Sequence, residues 1–159
     1  MIGAMASTQA VLSAAQRSFL AQARRAVLAT IAPDGRPRLV PICFVVAEDA
    51  AVVYTPIDDK PKQTPDPLAL ARVRDITSDP RVTLLVDHWD EDWTRLAWLR
   101  LVGRADLIVP DDLVTADEHG WAVGALRARY PQYAEHRLEA RPIIRIAIER
   151  TVAWGDAER

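Results

Sequence analysis

Short apolar runs separated by turn-forming residues are the feature that most constrains the fold of this chain. Ala26–Ile31 and residues 38–46 flank a Pro/Asp/Gly cluster at residues 33–37, the pattern of a β-hairpin. Further β-rich runs are residues 50–55, 82–86, 96–105 and Ile143–Trp154. The continuous run 82–86 is expected to be buried on both faces. Because parallel strands need long crossovers, these short connections predict a mainly β fold, an antiparallel β-barrel of about six strands.

Three helices are expected to flank the barrel. Apolar residues recur at three- and four-residue steps over residues 8–25, and helical spacing returns at residues 68–76. A third helix is predicted to end near Arg129 and to begin at Asp111 or Asp112, whose side chain would cap it. The whole fold is expected to be a single domain over residues 8–159, preceded by a disordered tail at residues 1–7.

Composition excludes several classes of function. The net charge of −2 gives no overall positive field that would attract nucleic acid. The single cysteine, Cys43, forms no disulfide within the chain, and no stretch approaches the roughly 18 apolar residues that span a membrane. We therefore expect a cytoplasmic protein. His88, His119 and His136 are too widely spaced for a local metal cluster, so no metal site is expected.

The most informative local feature is a pair of lysines. The chain has 18 arginines but only two lysines, Lys60 and Lys62. Both fall in residues 56–67, whose four prolines exclude a regular helix or a central strand. A compact ammonium group suits a phosphate held by a point charge, and Thr55 and Arg72 would add a hydroxyl donor and a second cation. The alternative is a solvated loop whose lysines pair with neighbouring aspartates.

Aromatic residues are concentrated in residues 87–98, which hold three tryptophans and four acids. Aromatic side chains at this density outside a core are typical of an interface or of a wall against a planar ligand. For Trp93 and Trp98 two interpretations stay open: ordinary core or dimer packing, and contact with a ligand.

Several segments, in this order, resemble a known group of proteins. The hairpin segments AVLAT (26–30), DGRP (34–37) and LVPICF (39–44) resemble the opening of pyridoxamine-phosphate-oxidase-like proteins. Five later segments resemble the actinobacterial deazaflavin-dependent branch of that superfamily: VYTPIDDKPK (53–62), RVRDI (72–76), DPRVTLLV (79–86), EDW (91–93) and WLRLVGRA (98–105). The resemblance extends over residues 15–154.

The resemblance implies an FMN-binding split β-barrel that forms a homodimer, with two equivalent cofactor clefts built from both subunits. In that family the strand before the lysine loop, and the loop itself, hold the phosphate-bearing tail of the cofactor. Carried over to this chain, Lys60 and Lys62 would bind phosphate, with Tyr54, Thr55 and Arg72 beside them.

The planar ring of the cofactor would then lie against residues 40–43, through main-chain contacts that include Pro41 and Cys43. Trp93 or Trp98 would close the cleft from the partner subunit. Family members use F420, a deazaflavin, or FMN to transfer a hydride to or from a small organic molecule. Because the cofactor carries that chemistry, no catalytic side chain is assigned.

The resemblance thus implies an F420-dependent oxidoreductase acting on a small-molecule substrate. The loop with four prolines is stiffer than the flavin-binding pattern of true pyridoxamine-phosphate oxidases, which favours F420 over FMN. Two alternatives stay open. One is an FMN-dependent enzyme of the same fold, and the other is a non-catalytic protein that binds F420, FMN or haem.

Overall fold

The fold is described for residues 11–58 and 65–158 of a computed structural model. Its helices are α1 (Ala14–Gln22), α2 (Ala71–Ser78) and α3 (Ala116–Arg129). Its strands are β1 (Ala26–Ile31), β2 (Pro37–Ile42), β3 (Val45–Val46), β4 (Val52–Pro56), β5 (Arg81–His88), β6 (Ala97–Ile108) and β7 (Ile143–Trp154). Short 3-10 turns lie at Pro67–Ala69, Trp93–Arg95, Pro131–Glu135, Leu138–Ala140 and Gly155–Ala157.

Across the two described ranges, seven antiparallel strands form one sheet in the order β2-β1-β5-β6-β7-β4-β3. The two edge strands, β2 and β3, are separated in the chain by Cys43 and Phe44 alone. Because consecutive Cα atoms are about 3.8 Å apart, this link keeps the two edges close and the sheet must curl. We call residues 42–45 the seam. The predicted mainly β, antiparallel barrel with three helices is confirmed, with one strand more than expected.

The barrel interior is filled by side chains that alternate along the strands. Every second residue of β1, β5 and β6 points inward, and Leu28, Leu84 and Leu101 are buried in one core cluster. A second cluster lies under α3, where Leu126 packs with Ile143 of β7. Strand β4 contributes to both clusters, so its two faces are both covered.

Helix α2 is fastened to the β1–β2 hairpin by a buried carboxylate. Asp75 accepts hydrogen bonds from the hydroxyl of Thr30 at 2.8 Å and from Nε of Arg38 at 2.7 Å. Val73, on the same helix, packs with Ile57 just beyond β4. These contacts hold α2 against the hairpin and against the chain that follows β4.

Several sequence predictions are wrong in detail. The run 82–86 is not buried on both faces: Val82, Leu84 and Val86 point inward, whereas Leu85 is 40% exposed on the outer face. Helix α3 does not begin at an aspartate cap. It begins at Ala116, because the carboxylate of Asp112 accepts from the amide of Val114 at 2.9 Å in a turn that precedes the helix.

Two further predicted boundaries differ. Residues 38–46 do not form one strand, because the chain crosses the seam within them. The helix expected at residues 68–76 begins at Ala71 instead, because Asp66 caps the separate turn Pro67–Ala69 by accepting from the amide of Leu68. Among the described helices, none is long and apolar enough to cross a membrane.

Candidate functional site

A cavity of about 220 Å³ lies beside the seam. Its walls come from five parts of the chain: the residue before β1, the end of β2, the end of β4, the first turn of α2 and the turn Pro131–Glu135. The residues that line it are Arg25, Pro41, Ile42, Cys43, Thr55, Pro56, Asp58, Arg72 and Tyr133.

Strand register brings these distant segments together. Ala26 of β1 lies opposite Ile42 of β2, so Arg25 stands next to the seam. Val45 of β3 lies opposite Tyr54 of β4, so the residues before Val45 approach the residues that follow Tyr54. The cavity is therefore a direct consequence of the way the two sheet edges meet.

The charges in the cavity favour an anion. Arg25 and Arg72 carry two positive charges, and Asp58 carries one negative charge. Nε of Arg72 is buried and has no hydrogen-bond partner in the described part of the chain. Burial lowers the pKa of Arg72, and the nearby Asp58 carboxylate opposes this effect. Leaving a buried donor unpaired costs about 1–3 kcal/mol, so an acceptor that entered the cavity would recover that free energy.

Tyr133 supplies a neutral donor to the same cavity. Burial raises the pKa of its phenol, and hydrogen bonds with Cys43 and Asp58 raise it further, together with the negative charge of that aspartate. The hydroxyl donates to Oδ2 of Asp58 at 3.4 Å, a long and weak contact. Tyr133 therefore stays protonated at neutral pH and available to another acceptor.

The structure brings together four of the residues that the sequence singles out. Pro41, Cys43, Thr55 and Arg72 all line the cavity. The predicted phosphate-binding residues Lys60 and Lys62 lie outside the described residues.

The other three predicted residues do not line this cavity. Tyr54 points to the opposite side of β4, where its hydroxyl donates to Oε1 of Glu118 at 2.6 Å. Trp93 is 71% exposed in the turn before β6, and Trp98 lies half-buried on the outer face of β6 opposite Trp154 of β7. Both tryptophans are therefore outside the seam cavity.

Two cavity residues, Arg25 and Tyr133, lie outside every segment that the sequence assigns to the site. Arg25 ends a predicted helix, where a cation suits the helix dipole, so its position carries no sign of a binding role. Tyr133 lies far along the chain in the turn Pro131–Glu135, and no local pattern links it to the seam.

A larger cavity, of about 480 Å³, lies between α1 and the carboxyl end of β5. Asp87, His88 and Arg95 line it together with Phe19 and Asp156. Asp90 holds this wall, since it forms an ion pair with Arg95 at 3.2 Å. Throughout residues 11–58 and 65–158, no group of three His, Cys, Asp or Glu side chains is placed to hold a metal ion.

Comparison with solved structures shows the fold. A conserved hypothetical protein from Mycobacterium tuberculosis matches with a TM-score of 0.70 and 20% identity, over 97% of this chain and 91% of that protein. An F420 reductase matches with a TM-score of 0.59 and 21% identity, over 86% of this chain and 94% of that protein. An FAD-binding protein from Mesorhizobium loti has a TM-score of 0.59 and 22% identity, over 86% and 87% of the two chains.

Sequence comparison shows the family. No curated protein matches this sequence. The family model described as pyridoxamine 5'-phosphate oxidase matches residues 12–155, which include every strand and helix of the fold. The chain therefore belongs to the pyridoxamine 5'-phosphate oxidase family.

Proposed function

We propose that this protein is an F420-dependent oxidoreductase whose coenzyme binds at the seam cavity. The observation that carries the proposal is the buried Nε of Arg72, which has no hydrogen-bond partner among the described residues, in a cavity that Pro41, Cys43 and Thr55 also line. The F420 reductase with a similar fold and the proline-rich loop after β4 support the deazaflavin over FMN.

The donors of the cavity fit a phosphate group. Arg72 offers Nε and the rest of its guanidinium, and Arg25 adds a second cation from the start of β1. The hydroxyls of Thr55 and Tyr133 are neutral donors of the kind that complete a phosphate site. We assign Lys60 and Lys62 to the same phosphate, as the family resemblance implies.

The size of the cavity indicates how much of the coenzyme it holds. Sites that enclose a whole small-molecule ligand usually have volumes of about 300–1,000 Å³, and this cavity has about 220 Å³. The cavity would therefore take the phosphate-bearing tail, and the planar ring would lie outside it against the β2 strand near Pro41.

A second copy of the chain would cover the ring. The outer face of the sheet next to Pro41 is apolar, and Leu39 and Leu85 are 64% and 40% exposed there. Leu39 and Pro41 share this face because side chains two apart in a strand point the same way. A homodimer through this face buries the apolar residues and places partner side chains over the seam, and we assign Trp93 and Trp98 to that closure.

When bound, the deazaflavin supplies the hydride donor or acceptor. The chain's own residues then bind the tail, orient the ring and exclude water from it. Arg25 and Arg72 neutralise the phosphate charge, and Tyr133 remains a protonated donor because of its raised pKa.

A second candidate is an FMN-dependent enzyme that uses the same cavity. The FAD-binding protein with a similar fold favours it, and the phosphate of FMN would meet the same donors. A yellow protein with flavin absorption bands on purification would distinguish this candidate from the F420 enzyme.

The decisive experiment is a titration of the purified protein with F420 and with FMN. We expect saturable F420 binding that the Arg72→Met variant weakens about 10- to 150-fold, because hydrogen bonds to charged groups contribute about 1.5–3 kcal/mol. Arg74→Met is the matched control, since Arg74 is exposed on the same helix. A Lys60→Ala/Lys62→Ala variant is expected to lose binding as well.

Two results would overturn the assignment. One is wild-type F420 affinity in both Arg72→Met and the double lysine variant. The other is FMN binding with no F420 binding, which would leave the cavity in place but transfer the function to the flavin enzyme.

A further inference from the structure

A second candidate site lies on the other side of β4, under Trp121 of α3. Two adjoining cavities of about 540 Å³ and 380 Å³ share Ala47, Glu48 and Trp121. We call them together the Trp121 groove. It is separate from the seam cavity because Tyr54, which lines the groove, and Thr55, which lines the seam cavity, point to opposite faces of one strand.

One end of the groove is acidic. Glu48, Asp49 and Glu118 line the smaller cavity. Oε1 of Glu118 accepts hydrogen bonds from the Tyr54 hydroxyl at 2.6 Å and from Nε of Arg145 at 2.7 Å, so an arginine already balances its charge. Glu48 and Asp49 form no ion pair with any described residue, so neither carboxylate has a direct charged partner in the described part of the chain.

An aromatic face lies between the two cavities. Trp121 is 42% exposed, and its ring packs edge-on against Tyr54 with 5.5 Å between centroids and 62° between planes. Tyr54 is itself buried and held by Glu118. Tyr54 therefore packs against one side of the indole, and the rest of the ring is exposed, as in sites that bind organic cations over an aromatic ring.

The other end of the groove is apolar. Leu20, Val45, Val46 and Ala125 line the larger cavity. The two arginines at this end are already engaged with main-chain carbonyls. Nη1 of Arg17 donates to the carbonyl of Ala47 at 2.9 Å, and Arg129 donates to the carbonyl of Leu20 at 2.9 Å.

The Arg17 contact also positions the acidic end. Its guanidinium reaches the carbonyls of Ala47 and Ala50, on either side of Glu48 and Asp49. Helix α1 thereby holds the β3–β4 turn, and with it the carboxylates of Glu48 and Asp49, at the mouth of the groove.

We propose that the Trp121 groove binds an amphipathic organic cation, a primary or quaternary amine that carries an aliphatic or aromatic body. The body fills the apolar cavity, and the charged nitrogen lies over Trp121 near Glu48 and Asp49. This binding goes beyond the coenzyme site, because it shares no lining residue with the seam cavity. Carboxylates alone would also attract simple ions, whereas the exposed indole and the apolar cavity select a cation with a hydrophobic body.

The test uses hexyltrimethylammonium as the probe, with tetramethylammonium and 1-hexanol as its two halves. We expect 1:1 binding of hexyltrimethylammonium, measured by calorimetry, at least about tenfold tighter than either half, because both ends of the groove contribute. Trp121→Ala is expected to weaken binding about 2- to 30-fold, the range of a cation–π contact. Trp121→Phe, which keeps an aromatic ring, should weaken it less.

A Glu48→Gln/Asp49→Asn variant removes the two negative charges while it keeps the shape of both side chains, so it measures how much charge contributes to binding. We expect it to bind the probe at least about threefold more weakly and to lose most of the salt dependence of binding, since exposed charges are screened by salt. Trp89→Ala, at an exposed tryptophan outside the groove, is the matched control and should bind as the wild type does.

Three results would overturn the proposal. They are equal affinity for hexyltrimethylammonium and 1-hexanol, unchanged binding in Trp121→Phe and Trp121→Ala, or no saturable binding of the cation. F420 titration of the same variants distinguishes the two sites. A variant that loses groove binding but binds the coenzyme normally leaves the proposed function unaffected.

Discussion

Tyr54 and Thr55 are consecutive residues of β4, yet their side chains point in opposite directions. The Tyr54 hydroxyl donates to Glu118 of α3, whereas the Thr55 side chain lines the seam cavity beside Arg72. Both side chains are buried, so neither can turn to the other face. One strand thereby separates two sites whose effects can be tested independently.

We therefore expect substitutions at the two positions to have different consequences. Thr55→Val should weaken coenzyme binding about 2- to 12-fold, because a neutral hydrogen bond contributes about 0.5–1.5 kcal/mol. Tyr54→Phe should leave coenzyme affinity unchanged and lower the free energy of unfolding by about 1–3 kcal/mol, since its partner is a carboxylate. Urea denaturation and F420 titration of both variants check this. The reverse pattern would contradict the placement of the two side chains.

A glycine in β6 permits a close approach of two strands. At Gly103, beside the irregularity where β6 pairs with β7, an added Cβ would meet the carbonyl oxygen of Ala147. Gly103→Ala should therefore destabilise the fold by about 1–3 kcal/mol, as overpacking does. Gly124→Ala is the control. Gly124 lies in α3 with open space around it, so alanine should stabilise the helix by about 0.5–1 kcal/mol. Thermal melting of both variants measures the difference, and a stabilising Gly103→Ala would contradict it.

Stability is expected to fall in alkaline solution because of two buried tyrosines. Burial raises the pKa of Tyr54, with a further rise from its hydrogen bond to Glu118, and burial is also the main cause of the raised pKa of Tyr133. A raised folded-state pKa stabilises the fold fully below the unfolded value of about 10, and this contribution is lost as the pH rises through the folded value.

The unfolding free energy of the wild type should thus decrease above a pH of about 10, and Tyr54→Phe should show a shallower decrease. Denaturation at a series of pH values gives both slopes. Tyrosinate absorbance of the native protein provides an independent check, and ionisation of Tyr54 near its ordinary pKa while the chain is still folded would refute the prediction.

The outer face of the sheet is expected to hold two copies of the chain together. Leu39→Asp places a charge among the apolar residues Ala29, Pro37 and Pro41 of this face and should convert a wild-type dimer into a monomer in sedimentation experiments. Leu113→Asp is the control, because Leu113 is almost fully exposed before α3. A monomeric wild type, or a dimeric Leu39→Asp variant, would exclude this interface.

Local signals explain which parts of the fold the sequence predicts. The bounds predicted for β1 and β7 agree with the structure, because a run of β-forming residues followed by turn-forming residues marks each strand. The sequence does not predict where α3 begins, because an aspartate such as Asp112 is equally suited to capping a helix and to closing a turn.

Local sequence signals do not predict the features that depend on tertiary contacts. Nothing in residues 38–46 marks the point where the chain leaves one sheet edge for the other. Arg25 and Tyr133 meet Arg72 only because the sheet closes, and the exposure of Leu85 depends on what covers the outer face. Pro41 and Cys43 are identified through family resemblance, which carries such long-range information, whereas Thr55 and Arg72 are singled out by their residue chemistry beside the lysine pair.

The seam has a consequence for thermal behaviour. Pro41 and Cys43 line the cavity from one edge of the sheet, and Thr55 lines it from the strand that pairs with the other edge. A bound ligand would therefore contact both edges of the sheet and hold them together. Its binding free energy opposes opening of the barrel, so the melting temperature should climb with ligand concentration. A chain saturated with its ligand would then resist heat and proteases better than the same chain alone.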